Sequence, residues 1–114
     1  MRIKLLFVCS ANKWRSPTAE TLFRKHPDYD VRSAGTASGA RVRITENHIA
    51  WADQIFVMEN RHRQFLQQRF NVLLQEKPLT VLDIPDDYPY MDPELIDLIY
   101  ARLSPHLPNL DWSP

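Results

Sequence analysis

The chain is short of several residue types, and each shortage removes a class of function. One cysteine, Cys9, stands among 114 residues, which excludes an internal disulfide and any cysteine-rich zinc site. A lone thiol also fits a reducing, cytoplasmic setting. Excess charge of either sign is lacking, with 14 Lys and Arg against 14 Asp and Glu. Nothing therefore pulls the whole molecule toward nucleic acid or an anionic membrane, and any anion recognition must be local. Long apolar runs are missing too. Leu5–Cys9 follows Arg2 and Lys4 but stops at Ser10, too short for a signal peptide, and nothing approaches the ~18 apolar residues of a membrane span. The histidines His26, His48, His62 and His106 lie far apart with no metal-ligand spacing, so no metal or other cofactor is expected. Repeats and low-complexity tracts are absent.

What remains is one domain over residues 1–114, 44% hydrophobic and 25% charged, with material for one core. Glycine is scarce (Gly35 and Gly39), and nine prolines mark most of the boundaries. Ile3–Val8 reads as a strand covered on both faces. Ser16 and Pro17 read as cap and first turn of a helix whose Ala19, Leu22 and Phe23 form a stripe, ended by Pro27. Tyr29–Ser33 is a second strand, running into a loop over Ala34–Gly39. Thr45–Ala52 is a short helix with Ile49 inward, and Gln54–Met58 a third strand. Asn60 is the expected cap of a helix carrying Phe65, Leu66, Arg69 and Phe70. Leu79–Ile84 is a fourth strand, with Asp83 inside it. After the loop Pro85–Met91, Asp92 and Pro93 start a helix with Leu95, Leu98, Ile99 and Leu103 on one face. Pro105 ends or kinks that helix, and Leu110 and Trp112 are expected to tuck back on the core. Strands alternating with helices imply an α/β fold: a four-stranded parallel sheet with helices on both faces and the first strand central. Ligands bind such sheets at the carboxyl ends of the strands, where the loops Cys9–Arg15 and Pro85–Met91 fall.

The first of these loops carries distinctive chemistry. In Val8-Cys9-Ser10-Ala11-Asn12-Lys13-Trp14-Arg15-Ser16-Pro17, a cysteine ends a buried strand, five residues intervene, and an arginine opens a helix. Successive amides of Ser10, Ala11, Asn12, Lys13 and Trp14 can wrap an anion, and the helix N-terminus adds partial positive charge. Arg15 supplies a planar fork for two phosphate oxygens. The field that binds phosphate also stabilises a thiolate, so Cys9 at the bottom of the cradle is the candidate nucleophile. Taken singly, Cys9 is a small buried residue, Arg15 a surface charge and Ser16 a helix cap. Their joint spacing is what points to catalysis.

VCSANKWRSPTAE resembles the signature of the low-molecular-weight protein tyrosine phosphatases and their arsenate-reductase relatives. Ser33-Ala34-Gly35-Thr36, Ala52-Asp53-Gln54-Ile55-Phe56-Val57-Met58-Glu59 and the acidic, tyrosine-containing loop before the last helix follow in the family's order. The resemblance implies a metal-independent phosphatase with Cys9 as nucleophile and Arg15 binding phosphate. It implies that Ser16 hydrogen-bonds the cysteine sulfur and eases its departure, and that Asn12 braces the loop. For the proton donor it implies an aspartate about nine residues before the last helix's first apolar position. Counting back from Leu95 gives Asp86, with Asp87 second. Tyr88 and Tyr90 either wall a cleft for an aryl phosphate, as the family's tyrosines here do, or simply pack. The chain departs from the family in three ways. Ala11 stands where glycine is common, leaving Asn12 to take the left-handed turn. Trp14 replaces a frequent second cysteine, and the stretch between Gly35 and Ile44 is short.

The expected function is hydrolysis of a phosphorylated protein or small aryl phosphate through a phosphocysteine. A nucleotide or RNA-end phosphate remains open, since the shortened rim removes what would decide. The alternatives are a non-catalytic phosphate-binding module, and an arsenate reductase that would need an external thiol. Arg61, His62 and Arg63 read as a solvated helix face. Lys13 and Arg41–Arg43 either rim the cleft or face solvent.

Overall fold

Strand β1 (Ile3–Cys9) is covered on both faces from Leu5 onward, and its alternating side chains seed two cores. The structure, a computed structural model, describes residues 2–110. Along the chain β1 is followed by α1 (Arg15–Phe23), β2 (Tyr29–Gly35), α2 (Glu46–Trp51), β3 (Gln54–Val57), α3 (Asn60–Leu74), β4 (Leu79–Val81) and α4 (Pro93–Leu103). The sheet runs β2-β1-β3-β4 with every pairing parallel, so β1 is internal as the sequence implied. The chain steps outward from β1 to β2, then reverses to β3. Right-handed crossovers place the helices on opposite faces when the direction reverses. Leu5, Phe7 and Cys9 accordingly pack with Ala19 and Phe23 of α1 and with Leu95, Ile99 and Leu103 of α4. Leu6 and Val8 pack with Ile49 of α2 and Leu66 of α3. The reversal leaves a crevice at the carboxyl end of β1.

Several boundaries differ from the expectation for definable reasons. Strand β4 ends at Val81 rather than Ile84 because Asp83 turns left-handed (φ 59°), although Leu82 and Ile84 still donate N–H bonds to Val57 O and Met58 O. Asp83 is therefore a turn residue. Helix α1 begins at Arg15, one residue before the expected cap. Ser16 lies inside its first turn, and Pro17 is tolerated because an N–H there has no intrahelical acceptor. Helix α3 is capped at Glu59, not Asn60. The helix is also broken internally at Phe70 (φ −130°, ψ 32°). Leu110 packs on the core as expected, whereas Trp112 lies outside the described residues.

Candidate active site

Cys9 sits at the end of β1, buried, with its Sγ 2.9 Å from Ser16 Oγ. That contact is the one the family resemblance implies for Ser16, and it displaces the helix cap read from the residue's position. Asn12 holds the hydroxyl there. Asn12 is buried and left-handed (φ 54°), so it takes the turn that Ala11 does not. Its Nδ2 donates to Ser16 Oγ and Ser33 Oγ, each at 2.9 Å, and Ser33 donates to Glu20 Oε1 at 2.6 Å. With its oxygen accepting from Asn12, Ser16 can turn its O–H toward the sulfur.

The short stretch after β2 braces the loop from behind. Thr36 N–H, Ala37 N–H and Arg41 N–H donate to the carbonyls of Cys9, Ser10 and Ala11 at 2.9–3.0 Å, and Arg41 Nε donates to Asn12 O at 3.0 Å. Across a trans peptide C=O and N–H point oppositely. Engaging four successive carbonyls on one side therefore turns the amides of Ser10, Ala11, Asn12 and Lys13 to the other. Gly35 is what permits this approach. A Cβ there would lie 2.4 Å from Ser10 O and 3.0 Å from Asn12 N.

Arg15 opens α1 and is 1% exposed. Its Nη1 donates to Glu59 Oε1 at 2.5 Å and to Ile84 O at 2.9 Å, which fixes the guanidinium plane. Its Nε is buried and makes no hydrogen bond, although Asp86 Oδ1 stands 3.4 Å away, within ion-pair range but poorly aligned. Burial alone would raise the Glu59 carboxyl. Hydrogen bonds from Arg15 and Arg61 outweigh it and hold the group below the usual carboxylate value.

A cavity of about 250 Å³ opens over the sulfur, lined by Cys9, Ala11, Lys13, Trp14, Arg15 and Asp86. Of the two candidate acids, Asp86 lines it and Asp87 does not. Tyr88 and Tyr90 are not among the lining residues either. Tyr88 packs on the core, and Tyr90 bonds Thr21 through its hydroxyl at 2.7 Å. The acidic loop is pinned to α1 a second time, where Met91 N–H donates to Thr18 Oγ1 at 3.0 Å. Ser10, Asn12 and Ser16 are likewise outside the lining residues.

Three residues outside the candidate set join this constellation. Glu59 clamps Arg15, and Arg41 braces Asn12. His62, expected on a solvated face, is 1% exposed. Its Nε2 lies 2.8 Å from Ser10 Oγ, and its Nδ1 accepts from Glu59 N–H at 3.0 Å. Burial, then the charges of Arg15 and Arg61, push His62 down to about 4 against the opposing pull of Glu59. The sequence signal for the pair was position: Glu59 and His62 stand where the cap and the third residue of a capping box fall. Among the described residues, no three His, Cys, Asp or Glu side chains are grouped to hold a metal, and no helix is long and apolar enough to cross a membrane.

The chain is similar to known proteins in sequence and fold. A protein-arginine-phosphatase of Geobacillus stearothermophilus is 28% identical over a stretch covering 61% of this chain and 64% of that relative, so the chain spans less than two thirds of its length. Among solved structures, Vibrio vulnificus Wzb in complex with benzylphosphonate superposes with a TM-score of 0.72 at 24% identity, covering 92% of this chain and 97% of that one. The YwlE arginine phosphatase of Geobacillus stearothermophilus gives 0.63 at 22% identity, covering 90% and 94%. These likenesses establish the fold. The sequence model of the low molecular weight phosphotyrosine protein phosphatases matches residues 4–73, more than half of the chain. With the loop that carries Cys9 and Arg15 inside that match, the chain belongs to the low molecular weight phosphotyrosine protein phosphatase family.

Proposed function

We propose that this protein is a metal-independent phosphatase that hydrolyses aryl phosphates, phosphotyrosine in a protein foremost, through a phosphocysteine. The observation that carries the reading is Arg15 Nε, a buried donor without a hydrogen bond on the wall of a cavity that Cys9 also lines. A buried cationic N–H without a hydrogen bond is costly, its ion pair with Asp86 being poorly aligned, and a phosphate oxygen in the cavity would satisfy it.

As a thiolate, Cys9 Sγ attacks phosphorus in line with the leaving oxygen. The S–P bond forms, the P–O bond breaks, and the carboxylic acid of Asp86 gives its proton to the departing oxygen. Amides of the loop and the Arg15 guanidinium hold the equatorial oxygens, where charge is concentrated. Water then attacks phosphorus, Asp86 takes its proton, and Sγ leaves as a thiolate steadied by the Ser16 hydroxyl. Inorganic phosphate is the product.

Relatives named as arginine phosphatases make phosphoarginine the second reading. The rim favours the aryl ester. Trp14, an aromatic residue 46% exposed, and Lys13, a cation, both line the cavity. A departing guanidine becomes a cation and would meet like charge at Lys13. The lone thiol supports a cytoplasmic setting.

Phosphate release without added metal, from p-nitrophenyl phosphate, a phosphotyrosine peptide and a phosphoarginine peptide, tests the reading. We expect the aryl substrates to be preferred and Cys9→Ser and Arg15→Ala to be inactive. Equal release by Cys9→Ser would sink the phosphatase, and preference for phosphoarginine would reassign the substrate. Phosphate binding without turnover would make the chain a binding module.

A further inference from the structure

We propose that His62 is a positioning residue for the phosphate cradle, holding Ser10, the first residue after the nucleophile, through a hydrogen bond of fixed direction. The proposal rests on reading the Cys9–Arg15 loop as that cradle. The direction follows from the far side of the ring. His62 Nδ1 accepts from Glu59 N–H at 3.0 Å, so Nδ1 carries no proton and the single proton of the neutral imidazole is on Nε2. Nε2 therefore donates to Ser10 Oγ at 2.8 Å. Burial and the charges of Arg15 and Arg61 resist a second proton, so Nδ1 stays an acceptor and the tautomer is held at neutral pH.

Ser10 is held at a second point, since its carbonyl accepts from Ala37 N–H at 2.9 Å. With its side-chain and backbone oxygens both engaged, the residue that presents the first cradle amide has little freedom. The same turn of α3 also holds the far end of the loop, because Glu59 clamps Arg15. One helix start thus sets the spacing between the amides and the guanidinium, both of which must meet one phosphate.

Capping alone does not account for this histidine. Helix α2 uses the same device, with His48 Nδ1 accepting from Thr45 N–H at 3.0 Å, on a ring that is only half-buried. Glutamine serves equally at that position of a capping box. His62→Gln therefore keeps the cap and removes the reach to Ser10, and His48→Gln is the matched control.

Inorganic phosphate binding by titration calorimetry reads the effect without requiring turnover, alongside kcat/KM for p-nitrophenyl phosphate. One neutral hydrogen bond corresponds to roughly a two- to tenfold change. His62→Gln should weaken phosphate by that factor and lower kcat/KM at least as much, with the melting temperature falling by a few degrees. Ser10→Ala should do the same, and the double variant no more than either alone. His48→Gln should leave both quantities as they were. Full phosphate affinity in His62→Gln, or an undiminished further loss when it is added to Ser10→Ala, overturns the proposal. Should His62→Gln fail to fold, unchanged phosphate affinity in Ser10→Ala overturns it instead. A parent protein that binds no phosphate defeats the cradle reading, and the proposal with it.

Discussion

The two glycines allow a sharp test of how the loop is held, because one is enclosed and the other is open. A Cβ on Gly35 would lie 2.4 Å from Ser10 O, 2.7 Å from Ala40 Cβ and 3.0 Å from Asn12 N. Gly35 has no positive φ, so sterics alone decide the outcome. Two of the three neighbours are backbone atoms and cannot swing aside. A carbon–oxygen contact relaxes near 3.3 Å, so Gly35→Ala must move the Ser10 carbonyl by about 1 Å. Overpacking of this kind costs about 1–3 kcal/mol, or roughly 4–12 °C in a domain of this size. The larger effect is on the reaction, since a misplacement of about 1 Å at a reacting centre costs on the order of 10²-fold. A Cβ on Gly39 meets nothing within 4 Å, so Gly39→Ala should stay within about 0.5 kcal/mol and keep full activity. Thermal denaturation and kcat/KM for p-nitrophenyl phosphate, measured on both variants, check the pair. A Gly35→Ala protein with parental melting and kcat/KM within threefold would show that this contact does not set the loop.

Two further outcomes follow from the acid and the buried imidazole. Asp86→Asn should slow phenyl phosphate by about 10²–10⁴ but p-nitrophenyl phosphate far less, because only the poor leaving group needs the proton; an unchanged leaving-group dependence would move the role to Asp87 or elsewhere. His62 takes up protons near pH 6.5 when unfolded but only near 4 when folded, so the unfolded state binds more protons between these values. The stabilisation is complete above about pH 6.5 and is lost as pH falls toward 4, by up to about 3 kcal/mol. Melting temperatures between pH 7 and 4.5 should therefore fall more steeply for the parent than for His62→Gln, and parallel profiles would contradict the buried neutral ring.

The residues that failed to declare themselves did so for physical reasons. Arg61, His62 and Arg63 look alike as a charged run, yet helix phase turns only His62 inward. Glu59 lies 44 residues from Arg15, and His62 lies 52 from Ser10, so no local spacing couples them. Ser16 read as a cap from its position alone, and only the family resemblance pointed to the sulfur that, with Asn12, claims its hydroxyl. Asn60 ranks above glutamate as a cap, and Glu59 takes the place because its carboxylate is held by Arg15 and Arg61. Asp86, by contrast, was singled out by the family's spacing counted back from Leu95, and it lines the cavity.

The amino-acid order alone determined the alternation of strands and helices, the internal place of β1 and the Cys9–Arg15 loop, because burial periodicity and motif spacing are properties of neighbouring residues. Only the folded chain decided what surrounds that loop: Gly35 and Arg41 behind it, Glu59 on the guanidinium, His62 on Ser10 and Asp86 at the mouth. Those contacts join segments far apart in the chain, and they exist only once sheet order and helix phase have brought the segments to one end of β1.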